Sequence, residues 1–255
     1  MLPWRNIKFG IELEGAPSDP VEVVARRCGS AGLLLPVALS DSERNVTTSW
    51  TFRCDGDGLE VSSPILDYHN WNDVRNLLHA LKNCGVSTGP GSGLHVHLSV
   101  EGLTDSVKAN LIRNWYCVEP ALFRMVKSYR ESSGWCHPIR DSFTVDNLFG
   151  LSDREVIRIA TKRAFGPNGG WPTFECRAHH STFSFVDIFS WVTLLQICVA
   201  KWSVTPVAKP DAITHLGLSL RTLFSQLETL VVENTSGAVQ THVLSNLQQR
   251  ILSRS

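Results

Sequence analysis

Gly91-Ser92-Gly93-Leu94-His95-Val96-His97-Leu98-Ser99 alternates apolar and polar side chains and carries two histidines two residues apart. Successive side chains of an extended strand point to opposite faces, so Leu94, Val96 and Leu98 share one face and His95, His97 and Ser99 the other. Two histidines on a strand face are commonly ordinary polar residues. Their meaning depends on what the rest of the chain sets beside them.

Three other stretches follow the same rule. Phe9-Gly10-Ile11-Glu12-Leu13-Glu14-Gly15 predicts a half-buried strand with Phe9, Ile11 and Leu13 inward. Glu12 and Glu14 then share the other face, roughly 7 Å apart from the rise per residue. Trp50-Thr51-Phe52-Arg53-Cys54 and Leu59-Glu60-Val61-Ser62-Ser63-Pro64 alternate on either side of the turn Asp55-Gly56-Asp57-Gly58, which predicts a hairpin with Glu60 and Ser62 on its polar face. That turn lacks the remaining ligand positions and the closing glutamate of a calcium-binding EF-hand. Thr173-Phe174-Glu175-Cys176-Arg177-Ala178 puts Thr173, Glu175 and Arg177 on one face; alone, such a Glu-x-Arg is a surface ion pair of little consequence.

Between these strands the period changes to that of helices. Asp19 to Leu35 predicts a helix with Pro20 in its first turn and Gly29 or Gly32 as its end, and Trp71 to Cys84 an amphipathic one stopped by Gly85. Asp105 to about Val126 follows Thr104 as a cap, and Phe183 to Trp202 is apolar nearly all round and should be buried. Two more helices are expected near Ala212 to Val232 and Gly237 to Leu252. Tyr129 to Leu151 has no clear period and reads as a long irregular segment, which makes Arg130 a candidate substrate contact. Ser152 to Ala164 reads as a short helix or extended segment that brings Lys162 and Arg163 to the entrance of the loop Gly166-Pro167-Asn168-Gly169-Gly170.

A chain of 255 residues can bury a full core, and one domain over 1–255 is expected, with 203–255 as a C-terminal helical extension. Its 24 basic and 24 acidic residues balance to a formal charge of +0, so no global field recruits nucleic acid or an anionic membrane. No apolar run approaches the roughly 20 residues of a membrane span, and Met1-Leu2-Pro3-Trp4-Arg5 lacks the apolar core of a signal peptide; a cytoplasmic location is expected. The 7 cysteines include no Cys-x-x-Cys pair, which argues against a zinc knuckle or a disulfide framework. Cys136 beside His137 is not a nucleophile and base by adjacency alone.

The recurrence across the four strands carries the functional reading. Paired in one sheet, they give an α+β fold: a curved, mostly antiparallel sheet with helices packed on its apolar face. The polar face then gathers Glu12, Glu14, Glu60 and Glu175 with His95, His97 and Arg177. Like charges so close repel unless a cation sits among them or protons are taken up. Carboxylate-rich sites favour hard cations such as Mg²⁺ or Mn²⁺, held together with substrate phosphates, and Arg177 and Lys162 would serve those phosphates. The set points to phosphoryl transfer from a nucleotide, though neither a P-loop nor a kinase glycine-rich loop is present.

The four stretches, at 9–15, 56–64, 91–99 and 173–179, resemble in order and combination the motifs of glutamine synthetase and its carboxylate-amine ligase relatives, and most closely the amidoligase family. The likeness spans about residues 9 to 200. It implies a glutamine synthetase-like catalytic domain in which Glu12, His95 and Glu175 hold one metal and Glu14 and Glu60 another. It further implies Arg177 at the phosphoryl group or substrate carboxylate, and His97 and Lys162 near the nucleotide phosphates. The implied reaction uses ATP to convert a carboxylate to an acyl phosphate, which an amine or peptide amine displaces to give an amide. Glutamine synthetase itself is a longer protein, and the likeness does not extend to its N-terminal domain. Relatives on this fold also attach or remove a small protein modifier, so two readings stand beside the ligase: a metal-dependent amide or isopeptide hydrolase, and an inactive nucleotide- or peptide-binding module. A fold does not choose among them.

Overall fold

The computed structural model of the chain describes residues 3–40, 48–161, 163–168, 171–205, 225, 227–229, 231–233 and 235–252. Seven strands form one open sheet: β1 (Phe9–Gly15), β2 (Val37–Leu39), β3 (Trp50–Asp55), β4 (Gly58–Ser62), β5 (Gly93–Ser99), β6 (Phe165–Pro167) and β7 (Thr173–His180). Their order across the sheet is β2-β3-β4-β1-β5-β7-β6, antiparallel throughout except for the parallel pair β2 and β3. The strands carrying the acids and histidines are therefore neighbours at its centre, and the two that sequence periodicity did not reveal, β2 and β6, close its edges. Each edge strand has only three residues, too few to display a period of two.

Burial along β1 alternates without a break, with Phe9, Ile11 and Leu13 in the core and Glu12 and Glu14 half-exposed. The β3–β4 hairpin turns through Gly56 and Asp57, and Gly56 sits at φ +55°, a conformation glycine adopts freely. Antiparallel register sets Glu12 opposite His95 on one side and Ser62 on the other, with Glu14 opposite Glu60. Buried Asp73 secures the outer edge: its carboxylate accepts from Trp50 Nε1 at 2.7 Å and from Leu34 N at 2.6 Å.

The sheet's apolar face packs on α2 (Trp71–Asn83), α3 (Asp105–Arg124) and α6 (Phe185–Trp202). Trp71 stacks on Phe9 with ring centroids 5.0 Å apart, and Trp115 of α3 stacks on Phe165 of β6 at 4.6 Å. Thr104 caps α3, its hydroxyl accepting from Val107 N. Among the described residues α6 is the one helix with the length and apolarity to cross a membrane, and most of it is buried inside the fold. The final helix Gly237–Leu252 packs on α6.

Several boundaries differ from the sequence expectation. The first helix, α1 (Val21–Gly29), ends at the earlier of the two expected glycines, six residues before Leu35, and Gly32 beyond it has φ +74°. Residues 129–151 are not irregular throughout: they hold α4 (Val145–Gly150) and two short 3-10 turns, too brief for a sequence period to appear. Ser152 to Ala164 resolves into α5 (Asp153–Ala160), closed at its start by a Ser152/Glu155 capping box. Most of the helix expected near Ala212 to Val232 lies outside the described residues.

Candidate metal and phosphate cleft

The polar face of β1, β5 and β7 brings three donors close together. One donor atom each from Glu12, His97 and Glu175 lies within 4.8 Å of the other two. His97 Nε2 is 3.2 Å from Glu12 Oε1, and Glu175 Oε1 is 2.9 Å from Arg177 Nη2. Both His97 Nε2 and Glu175 Oε1 are buried, yet among the described residues neither has an aligned hydrogen bond. Each is held by ion-pair contact and not by a directed hydrogen bond, and two such ligand atoms flanking a third carboxylate fit a site that receives a cation. Two carboxylates and one imidazole suit a hard or borderline divalent ion.

One strand step further along, Glu14, Asp55 and Glu60 form a second group whose donor atoms lie within 4.8 Å of one another. His95 stands between the two groups. Its Nδ1 lies 3.1 Å from Glu12 Oε2 and 3.4 Å from Glu175 Oε1, and its Nε2 lies 3.5 Å from Glu14 Oε1. The structure thus brings together Glu12, Glu14, Glu60, His95, His97, Glu175 and Arg177: His97 joins the inner group, and His95 Nδ1 meets the same two carboxylates, Glu12 and Glu175, while its Nε2 faces Glu14. Lys162 lies outside the described residues.

Charge in the cleft is tightly coupled. Burial would raise the Glu12 carboxyl, but contacts with His95 and His97 overturn that and hold it well below the usual carboxylate range. For Glu60, burial and the Glu12 charge raise the carboxyl, partly offset by Arg53 and Ser62. Burial would lower His97, yet Glu12 and Glu175 carry it above its ordinary value against the opposing charge of Arg177.

Two positions depend on the tertiary fold. Between the pairs Leu94↔His179 and Val96↔Cys176, β5 has one residue, His95, and β7 has two, Arg177 and Ala178. That β-bulge breaks the two-residue period of β7 beside the site. Arg130 is only 2% exposed and donates from Nη2 to the Arg177 carbonyl at 2.6 Å. It lies against Gly93, where an added Cβ would come 3.0 Å from Arg130 Nη2 and equally close to His95 Nε2. Arg130 thus lies buried on the polar face beside His95, outside the residues that line the cavity.

That cavity, of about 390 Å³, runs outward from Glu12, His97, Glu175 and Arg177. Arg53 forms part of one wall and Asn168 of another; Ile65 and Trp171, both substantially exposed, flank its outer part. Asn168 Nδ2 lies 3.2 Å from His97 Nδ1. Sequence reading passed over Asp55, Arg53 and Asn168. For the first two the signal was present, since Thr51, Arg53 and Asp55 alternate on the polar face of β3, whereas Asn168 lies in a loop without a period.

Fold and site together define an α+β protein whose open, mostly antiparallel sheet collects carboxylates, imidazoles and a guanidinium on one face. Residues 37–149 match the model of the family described as "Putative amidoligase enzyme". That stretch includes Asp55, Glu60, His95, His97 and Arg130, and leaves out Glu12, Glu14, Glu175 and Arg177. A search among curated proteins returned no match. Among solved structures, a bifunctional glutathione synthetase from Pasteurella multocida superposes with a TM-score of 0.52 and 8% identity, over 99% of this chain and 47% of that one. The chain therefore spans about half the length of that synthetase, and at such identity the likeness concerns the fold alone.

Proposed function

We propose that this chain is an ATP- and Mg²⁺-dependent ligase that joins a carboxylate to an amine or peptide amine through an acyl phosphate. The observation that carries the reading is the pair of buried, unaligned donors, His97 Nε2 and Glu175 Oε1, facing Glu12 with Arg177 alongside. The matched amidoligase family and a synthetase on the same fold support it.

In this reading Glu12, His97 and Glu175 would hold one Mg²⁺ or Mn²⁺, and Glu14, Asp55 and Glu60 a second. Such ions neutralise phosphate charge. The chain's own groups do the rest. Arg177 lines the cavity, and its planar fork, paired with Glu175 through Nη2, can also meet a phosphate or carboxylate oxygen. Arg130 holds the Arg177 carbonyl and so steadies the strand that aims this fork. The apolar walls at Ile65 and Trp171 suit the flat base of a nucleotide, and the buried floor keeps water from an acyl phosphate. Lys162 is assigned to the nucleotide phosphates by the motif likeness alone.

Phosphoryl transfer of this kind depends on positioning and charge neutralisation, which the cleft's mixture of acids and guanidinium can provide. The test supplies ATP, Mg²⁺ and pooled carboxylates and amines to the purified chain and follows ADP and condensation products by mass spectrometry. The expected outcome is ADP formed in proportion to a new amide. Cleavage of amides with no ATP consumed would replace the ligase by the hydrolase.

A further inference from the structure

Arg53 of β3 stands in register with Glu60 of β4, and its Nη2 lies 2.5 Å from Glu60 Oε1. Ser62 Oγ donates to the same oxygen at 2.9 Å. Glu60 is one of three carboxylates, with Glu14 and Asp55, whose oxygens lie close enough to share a cation. In this structure one of those carboxylates is already paired with a guanidinium. The other two are placed differently: Asp55 is exposed, and Glu14 Oε2 accepts from Gly93 N at 2.6 Å. Arg53 also lines the cavity that leads to Arg177, on another wall.

We infer that Arg53 is a displaceable resident counter-charge for Glu60, so that a divalent ion entering the Glu14/Asp55/Glu60 group must compete with it. The inference rests on the metal-dependent reading above. Its physical basis is that a guanidinium and a divalent ion sharing one carboxylate repel each other in a partly buried cleft, where water screens them poorly. Pairing also has a use in the absence of metal. Without Arg53, three carboxylates beside Glu12 would repel one another, whereas its charge holds the group together until a cation arrives.

The test is a titration with Mn²⁺ alone, following free Mn²⁺ by electron paramagnetic resonance and heats by calorimetry. Wild type is compared with Arg53→Gln, which can still hydrogen-bond to Glu60 without the charge, and with Arg53→Lys, which keeps the charge. Wild type should bind two classes of Mn²⁺. Arg53→Gln should tighten one class by about tenfold or more, the scale expected from removing a nearby like charge, while Arg53→Lys leaves it near the wild-type value. Adding Asp55→Asn to Arg53→Gln should remove the tightened class and spare the other. Melting curves of the metal-free variants confirm that each is folded. If Arg53→Gln leaves both classes unchanged, or weakens one, Arg53 does not compete with the cation and the inference falls while the metal reading survives. If the folded wild type binds no Mn²⁺, both fall together.

Discussion

Glu119 of α3 and Glu175 of β7 are both buried carboxylates, at 1% and 6% exposure, yet their surroundings are opposite. The oxygens of Glu119 are taken by N–H donors: Oε1 accepts from Trp115 Nε1 at 2.8 Å and Ile139 N at 3.0 Å, and Oε2 from Arg140 N at 3.0 Å. Glu175 Oε1 lies near Arg177 and His95 without an aligned hydrogen bond. One carboxylate fastens the 139–140 turn to a helix. The other keeps bonding capacity in reserve beside a cavity. Burial alone therefore does not distinguish the two acids; what separates them is whether directed N–H donors or neighbouring charges hold the oxygens.

The sharpest way to break this comparison is to neutralise each carboxylate and measure melting and turnover together. Glu175→Gln should reduce amide formation by more than about a hundredfold, the usual scale for removing an electrostatic stabiliser of the transition state. Its stability should stay within about 1 kcal/mol of wild type, because losing the charge also relieves repulsion from Glu12. Glu119→Ala should do the reverse. It strands three N–H donors and should cost about 3 kcal/mol or more in denaturant unfolding, while folded molecules keep most of their turnover. Equal loss of stability in both variants would remove the distinction.

Arg177→Lys sharpens the comparison on the cleft side. The charge survives but the planar fork does not, so turnover should fall by on the order of a hundredfold while nucleotide affinity changes much less. Near-normal turnover would reduce Arg177 to an ion-pair partner of Glu175. Steady-state kinetics beside equilibrium nucleotide binding provides the measurement.

A final test concerns pH. Burial pushes the Glu119 carboxyl up from 4.5 to about 7, even though its N–H donors and Arg140 oppose the shift. A carboxyl raised in the folded state binds more protons there than in the unfolded chain, so its contribution is fully present below pH 4.5 and is lost as pH rises towards 7. Over that window wild type should lose up to about 3 kcal/mol relative to Glu119→Gln, which has no such titration. Urea midpoints of the two proteins at several pH values check this; parallel profiles would mean that Glu119 is already ionised throughout.

Much of this was legible in the residues themselves. Strand parity placed Glu12 and Glu14, Glu60 and Ser62, and His95 and His97 on the polar sides of their strands, because a period of two is a property of the backbone and any half-buried strand displays it. The central strands, the hairpin at Asp55 to Gly58, the buried helix near Phe183 and the cap at Thr104 follow from patterns of that local kind. Parity also carried Arg53 and Asp55, although they become meaningful only once β3 lies against β4.

The rest was decided by the tertiary structure. Parity says which face a side chain takes but not which atoms meet across strands, so the approach of His97 to Glu12 and Glu175 alongside His95 required the actual register. The β7 bulge opposite His95 inserts a residue that local sequence does not announce, because pairing with β5 creates it. Glu119 offered no motif at all. Its role depends on a turn 20 residues away folding back to present N–H groups, and the same segment buries Arg130 beside His95. Sequence determines local period and composition, whereas satisfaction of a buried polar atom depends on partners distant in the chain, and only the assembled fold supplies them.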